Sequence, residues 1–403
     1  MVKSTRFIGY IGIVLLAAGL AGWAMQLAGG LFTTTGMTDI FLWGLMIAMF
    51  AFMVGFGAGA QLVASAIYLF GKDELKPLAR TAAAVGLACV AAAGVAILAD
   101  LGAIRNILAM IVGLNLRSPL AWDMLALTAF IVVSVVQLVM IARDARSTKV
   151  WVILAGLCAV VLQIVEGLLF SMQSAHAWWA TPIMPIDFLV VAFVSGSALM
   201  LLIACVKGAP QTAVAWLGRL CAWAIAVHLV LALCDLGLVA LESSPVSGGV
   251  LAAIGAQLPL YLCELLLPAA AMVILFAMGR SGRASWGLWA SILAIIGIFC
   301  HRLMLLYPAY NAPSLYLQLG GATTGPYPVS TGRYLDWNQT FALATNYVPA
   351  FPEWLAALLP IGVAIVGTFV LLWLMGKMAP AKGGMAADAG AAEGARGSEA
   401  AES

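Results

Sequence analysis

The sequence predicts an all-α integral membrane protein with about ten transmembrane helices. These form two four-helix bundles plus a peripheral first and a peripheral last helix. Hydrophobic residues make up 64% of the 403 residues and charged residues only 9%, whereas a soluble domain has about 25% charged residues. Ten stretches are apolar over the roughly 20 residues that a helix needs to cross a bilayer. A short motif also recurs at a fixed offset, which predicts the duplicated bundle.

Apolar runs between charged or turn-forming segments define the predicted helices. They cover residues 7–27, 39–70, 77–101, 119–143, 149–171, 186–206, 212–241, 249–278, 285–307 and 353–377. The first run follows Lys3 and Arg6 as in a signal peptide, but it exceeds the typical length of about 7–15 apolar residues and predicts a retained helix. The tail 379–403 is rich in Ala, Gly and Glu without aromatic residues, which predicts disorder.

Lysine and arginine residues are distributed unequally between the two sides of this topology. Fourteen of the 19 lie on the side of the termini, and four lie on the opposite side. The positive-inside rule therefore predicts a multi-pass protein of the cytoplasmic membrane with both termini in the cytoplasm. Segments 172–185 and 308–352 are then expected outside.

An internal repeat organises the predicted helices. Asp100-Leu101-Gly102 recurs as Asp235-Leu236-Gly237, 135 residues later. Each copy would contain an even number of crossings, so the copies are expected to be parallel and related by an axis along the membrane normal. The predicted units are the first helix with its outer loop (1–38), the first bundle (39–185), the second bundle (186–307), the outer loop (308–352), the last helix (353–378) and the tail (379–403).

Ionisable side chains inside spanning helices are costly and are candidates for function. In the first bundle the candidate catalytic residues are Glu166, Asp100 and Asp123, and the candidate residues for binding the substrate are Gln163, Trp122, Asp39, Trp43 and His176. Plainer roles stay open for some of them. Asp39 and Asp123 suit helix N-caps, Asp100 suits an ion pair with Arg105, and His176 suits a solvated loop.

Quinol oxidation needs an apolar slot for the ring and hydrogen-bonding groups for its two oxygens, one of them able to take a proton. A buried carboxylate meets the last requirement. The chain offers no motif for an electron carrier, because its seven cysteines lie in apolar runs without a C-x-x-C pair. No bound metal or haem is expected, and electrons would leave to a partner. The net charge of +2 comes without a basic stripe, and no nucleic-acid partner is expected.

The second bundle contains ionisable residues at several depths, which predict a proton path. They are Arg219, His228, Asp235, Glu264 and His301. A chain of titrating groups across the membrane is what proton translocation requires. Buried pairs that only fix helix packing are the open alternative.

The order of several short motifs resembles the NrfD/PsrC membrane subunits of the polysulfide reductase family, and the length is closest to the ten-span, DsrP-like branch. The similarity covers most of residues 37–377. The motifs include Trp43-Gly44-Leu45, Gly57-Ala58-Gly59, Lys76-Pro77-Leu78-Ala79-Arg80, Asp100-Leu101-Gly102, Ser118-Pro119, Trp178-Trp179, His301-Arg302 and Tyr347-Val348-Pro349.

The resemblance implies a membrane anchor without its own cofactor, which uses menaquinone or ubiquinone as substrate. It implies electron exchange with an iron–sulfur, ferredoxin-like subunit, in a complex that also contains a molybdopterin or cytochrome subunit. The long outer loops predict that the iron–sulfur subunit docks on the outer face. Many relatives have a histidine where Gln163 stands, and glutamine cannot take a proton. Either Glu166 has taken over that role or the chemistry of the site differs.

Two other functions remain open at this point. A secondary transporter would also show internal repeats and midplane ionisable residues. A b-type haem protein would use His228 and His301 as axial ligands. Quinol-dependent reduction of an iron–sulfur partner would distinguish the quinone-reactive subunit from a transporter. An absorption spectrum of the purified protein would distinguish it from a haem protein.

Overall fold

A computed structural model of the chain describes residues 2–38, 41–102, 112–242, 244–281, 284–312 and 347–378. The predicted quinone ligand Asp39, most of the predicted outer loop (313–346) and the tail 379–403 lie outside the described residues. All regular elements within these ranges are helical, and 10 helices are long and apolar enough to cross a membrane. The predicted all-α membrane fold is confirmed.

Fourteen α-helices are numbered here in chain order. They are α1 (Val2–Gly29), α2 (Leu31–Thr34), α3 (Leu45–Leu69), α4 (Lys76–Asp100), α5 (Pro119–Ala142), α6 (Thr148–Ser171), α7 (Met184–Lys207), α8 (Gln211–Glu242), α9 (Pro245–Ala256), α10 (Leu258–Ser281), α11 (Ala284–Met304), α12 (Tyr307–Asn311), α13 (Phe351–Ala356) and α14 (Leu358–Met378).

Helix boundaries differ from the prediction in three places, one of which is the last span, divided at Ala357 into α13 and α14. The span predicted from residue 39 begins as α3 at Leu45, because Gly44 has extended backbone and caps the helix. The span predicted at 249–278 consists of α9 and α10, which are separated at Gln257. Pro259 explains this break, since proline has no N–H to donate and disfavours helical backbone in the residue before it.

Two groups of four helices pack by the same scheme. The first bundle consists of α3, α4, α5 and α6, and the second of α7, α8, α10 and α11. In each bundle the first helix packs against the second and fourth, and the third helix also packs against both. Between the bundles, α3 contacts α7, α6 contacts α7 and α11 contacts α3. The first helix of each bundle thus contacts both the first and the fourth helix of the other bundle, and a two-fold axis between the bundles produces this reciprocal pattern. Outside them, α14 packs against α1 and α4.

The closest contact between the bundles is at two glycines that occupy similar positions in α3 and α7. A Cβ on Gly59 would lie 1.8 Å from the Ala192 carbonyl oxygen, and one on Gly196 would lie 1.9 Å from the Gly59 carbonyl carbon. No side chain fits at these distances. The two first helices therefore touch backbone to backbone, as small residues allow in membrane proteins.

The helix ends form two faces. The basic face contains the ends of α3, α5 and α7, with Lys72, Arg143 and Lys207 near them. The opposite face contains the segment 172–183, α12 and α13. At that face Glu353 accepts hydrogen bonds from the Gly36 and Ala350 amides and from the Tyr347 hydroxyl. Tyr347 in turn accepts from the Leu45 amide, which ties residues 347–353 to the start of α3. Burial raises the pKa of the Tyr347 phenol.

Candidate functional site

A cluster of two carboxylates and two histidines lies in the second bundle. Asp187, in the first turn of α7, accepts hydrogen bonds from both histidines, at 3.3 Å from His228 Nδ1 and 3.0 Å from His301 Nε2. The other ring nitrogen of His301 lies 2.8 Å from Glu264 Oε1 on α10. Four helices thus contribute to one buried network. We call these four residues the histidine cluster.

A cavity of about 30 Å³ adjoins the histidine cluster, and Asp235 and Tyr261 complete its polar lining. This volume holds about two water molecules. Trp178 closes the cavity toward the opposite face together with Leu305. The space suits water that carries protons between the side chains, and it is too small for a quinone ring.

A second polar cluster lies in the first bundle. Glu166 on α6 is fully buried, and its Oε2 accepts a hydrogen bond of 3.1 Å from Gln163 one turn earlier. Asp123 on α5 is also buried, and it is close enough to Glu166 for their charges to interact. Within the described residues, Glu166 Oε1 and Asp123 Oδ1 have no hydrogen-bond partner. We call Glu166, Gln163 and Asp123 the carboxylate cluster.

Arg302 lies between the two clusters. It follows His301 on α11, is fully buried and holds its guanidinium 4.2 Å from the centre of the Phe188 ring. Its charge interacts with those of Glu166 and Asp187. None of its nitrogen atoms has a hydrogen-bond partner among the described residues. A buried cation is retained only with compensating charge, and Glu166 and Asp187, one from each cluster, are near enough to supply it.

The segment 172–183 covers both clusters from the opposite face. The indole N–H groups of Trp178 and Trp179 donate to the carbonyls of Met304 and Leu305, at 3.0 and 2.6 Å. These bonds cap the end of α11 just after His301 and Arg302. Trp179 also stacks on Trp43 at 5.5 Å between ring centres. Aromatic side chains thus form a lid of fixed geometry over the polar groups.

His176 belongs to this lid and is partly buried. Its Nδ1 lies 2.9 Å from the Ala309 carbonyl oxygen, and because a carbonyl only accepts, Nδ1 carries the proton. Its ring packs at 4.4 Å from that of Trp179. Burial lowers the pKa of His176, although the bond to Ala309 opposes this shift.

The structure brings together some of the predicted site residues and separates others. Glu166, Gln163 and Asp123 form one group, and His228, Glu264, His301 and Asp235 form another. Asp100 instead lies near Glu353 and Tyr310. Trp122 is exposed on the outside of α5, and its indole donates to the Leu116 carbonyl. Arg219 is exposed near the basic face, away from the histidine cluster.

Two central residues were not among the predicted site residues, Asp187 and Arg302. Asp187 is acidic and lies inside an apolar span, which is the signal that singled out Glu166. It is the second residue of the predicted span 186–206, where an acidic residue also suits the membrane interface. Arg302 is part of the motif His301-Arg302, but nothing in the sequence shows that it points between the bundles.

The histidine pair does not fit a haem. The rings of His228 and His301 lie 4.9 Å apart, edge to face, and both nitrogens of His301 bond to carboxylates. This arrangement leaves no room for a macrocycle between them. Within the described ranges, no group of three or more His, Cys, Asp or Glu residues could hold a metal ion.

Comparison with known protein families identifies the family to which the chain belongs. Residues 33–314 match the family model described as polysulphide reductase, NrfD. The chain belongs to the NrfD family. The family resemblance predicted from the motifs is thereby confirmed, and the chain is a multi-pass membrane protein of the kind found in oxidoreductase complexes.

Three similar proteins are named as parts of such complexes. A protein of Halobacterium salinarum named as a dimethyl sulfoxide reductase membrane subunit is 27% identical, over 90% of this chain and 89% of its own length. A protein of Mesobacillus selenatarsenatis named as a selenate reductase subunit is 22% identical, over 76% and 81%. The Hdr-like menaquinol oxidoreductase integral membrane subunit of Archaeoglobus fulgidus is 25% identical, over 41% and 42%.

Proposed function

We propose that this chain is the quinone-reactive membrane subunit of a respiratory oxidoreductase, exchanging electrons between menaquinol or ubiquinol and an iron–sulfur partner. Membership of the NrfD family supports this, as do relatives named for reductases and for a menaquinol oxidoreductase. The proposal includes a molybdopterin or cytochrome subunit in the same complex. It also places the protein in the cytoplasmic membrane with the basic face inside.

The carboxylate cluster is the proposed site of quinol chemistry. The observation that carries this is the arrangement of Glu166, Asp123 and Arg302, which are buried together with polar atoms that have no hydrogen-bond partner in the described chain. Buried polar groups are nearly always hydrogen-bonded. Here they are suited to bind the two oxygens of a quinol ring and to accept its protons.

In the proposed reaction Glu166 accepts a proton from a quinol hydroxyl, and Asp123 accepts the second. Gln163 holds the Glu166 carboxylate in place through the hydrogen bond between them. Arg302 offsets the negative charge of the cluster, so that the carboxylate is present to act as a base. The two electrons leave the quinol ring for the iron–sulfur partner.

The opposite face is the proposed docking surface of that partner. Both clusters lie beneath segment 172–183, which is itself held in place by the indole bonds to α11. A short path for electrons therefore leads from the carboxylate cluster to this face. We further propose that the histidine cluster and its cavity carry protons that move across the membrane during electron flow.

Rapid mixing of the intact complex with a quinol tests the proposal. We expect the iron–sulfur centres of the partner to become reduced within one turnover, and a quinone analogue to block this reduction competitively. A complex whose centres stay oxidised on mixing with menaquinol and with ubiquinol, while the chain transports a solute down a proton gradient, would establish a transporter instead.

A further inference from the structure

A second cavity lies at the basic face, remote from both clusters. Its volume is about 360 Å³, and it opens between the turn after α3 and the start of α8. Lys72 and Arg219 contribute two positive charges to its lining and Glu74 one negative charge. The cavity therefore has a net charge of +1. Trp216 forms part of its wall.

Neither cation is neutralised by the protein. Within the described residues, Lys72 and Arg219 form no ion pair. Arg219 Nε donates to the Ala215 carbonyl of its own helix at 3.3 Å, and its side chain is exposed. It lies eight residues after the first residue of α8, about 12 Å along the helix axis. A cation at this depth persists where it can reach the interface or an anionic group.

An apolar stripe continues from Arg219 along α8. Trp223, Val227 and Val230 are 64%, 48% and 59% exposed. Starting at Arg219, the successive spacings of about four, four and three residues place all of them on one face of the helix. The stripe faces lipid in a membrane-spanning helix. An acyl chain can lie along it while the polar end of the same molecule reaches the cavity.

We propose that this cavity binds the phosphodiester of an anionic phospholipid from the leaflet at the basic face. Lys72 and Arg219 hold the phosphate, whose single negative charge matches the net charge of the cavity. Trp216 lies beside the glycerol, at the interfacial level where tryptophan is common. Basic pockets between transmembrane helices bind lipid headgroups in this way. The apolar stripe selects a phospholipid over free phosphate.

Lipid binding to the full chain, purified with any subunits that accompany it, tests this site. After delipidation in detergent, the protein is titrated with phosphatidylglycerol and with phosphatidylcholine of the same acyl chains, and bound lipid is counted by native mass spectrometry. We expect one phosphatidylglycerol to bind tightly. Lys72→Gln and Arg219→Gln should each weaken it about fivefold. Lys149→Gln, which removes an exposed cation elsewhere on this face, should change nothing.

Several results would overturn the proposal. Equal loss of binding in the Lys149→Gln variant would mean that only diffuse surface charge attracts the lipid. Displacement of phosphatidylglycerol by millimolar inorganic phosphate would make this a free-phosphate site. Glu74→Gln should tighten binding of the anionic lipid. If it weakens binding, and phosphatidylethanolamine binds better than phosphatidylglycerol, the cavity recognises a zwitterionic headgroup instead.

Discussion

In the first bundle, Asp123 near the start of α5 lies close to Glu166 on α6. In the second bundle, Glu264 near the start of α10 bonds to His301 on α11. These helices are the third and fourth of their bundles, so the two pairs occupy similar positions in a duplicated fold. The second pair is bonded further, to Asp187 and through it to His228. The first pair is two acids without a histidine between them, and each acid has an unpartnered oxygen atom within the described chain, as Glu264 also has.

The histidine network of the second bundle and the pair of acids in the first bundle are suited to different chemistry. An acid–histidine network bonds its members to one another, here with only His228 Nε2 and Glu264 Oε2 unpartnered within the described residues, and it can relay a proton with small movements. Two neighbouring acids cannot both be charged at low cost, and they need another group to bond to. In the proposed function, the two bundles share one architecture, and one of them acts on the substrate while the other carries protons. Arg302 compensates the charge of both.

The contact between the bundles offers the largest expected effect. Gly59→Ala places a Cβ 1.8 Å from the Ala192 carbonyl oxygen, so the bundles must separate. We expect a loss of more than about 4 kcal/mol in stability, as in the most damaging single substitutions. Thermal unfolding and the yield of monodisperse protein measure it. Gly94→Ala is the control, because its Cβ meets no atom within 4 Å. Equal unfolding temperatures for both variants would mean that the bundles do not touch here.

Arg302 tests whether the two clusters are electrostatically joined. Arg302→Met leaves Glu166 and Asp187 without their shared cation and should cost about 3–5 kcal/mol. Adding Glu166→Gln should recover part of this loss, with a coupling of about 1–3 kcal/mol in a double-mutant cycle of unfolding free energies. The pair Arg302→Met with Asp123→Asn should be nearly additive, because the Arg302 charge interacts with Glu166 and Asp187. If Arg302→Met and Glu166→Gln are additive, Arg302 is not electrostatically coupled to Glu166.

A substitution of Glu166 tests the proposed role of the first bundle in quinol oxidation. Glu166→Gln keeps size and hydrogen bonding but removes the proton acceptor, so quinol turnover should fall about 100-fold. Steady-state quinol oxidation by the intact complex measures this, across pH. Glu242→Gln removes an exposed carboxylate from the end of α8 and should leave turnover intact. Turnover close to wild type with an unchanged pH profile would remove Glu166 from the role of base.

His176 gives the smallest effect. Because burial lowers its pKa, the folded protein binds this proton less readily than the unfolded chain does. The contribution of His176 is therefore complete above about pH 6.5, the usual histidine pKa, and falls as the pH drops toward the lowered value. His176→Gln can still donate to Ala309 and should flatten this part of the stability profile. The measurement is the free energy of unfolding of wild type and His176→Gln over about two pH units around the usual histidine pKa. The same pH dependence in both proteins would contradict a lowered pKa of His176.

Much of the fold follows from the sequence because apolar length and repeated motifs are local signals. Ten spans could be predicted, and the repeat Asp100-Leu101-Gly102 predicted two bundles. The break at Gln257 was missed because an apolar run continues through it. The neighbours of Asp100 could not be predicted, since Glu353 comes from a distant segment that folds back over the bundle. The role of Arg302 depends on packing between bundles, which sequence periodicity does not report.

The division of labour between the bundles is tested most directly by counting protons. The intact complex is reconstituted in vesicles, and the protons moved per quinol oxidised are measured for wild type, Glu264→Gln and Glu166→Gln. The account predicts that Glu264→Gln lowers the proton count while electron flux continues, and that Glu166→Gln stops electron flux. A Glu264→Gln complex that moves as many protons per quinol as wild type would contradict the account. So would one that loses stability and electron flux together, because Glu264 would then serve only packing.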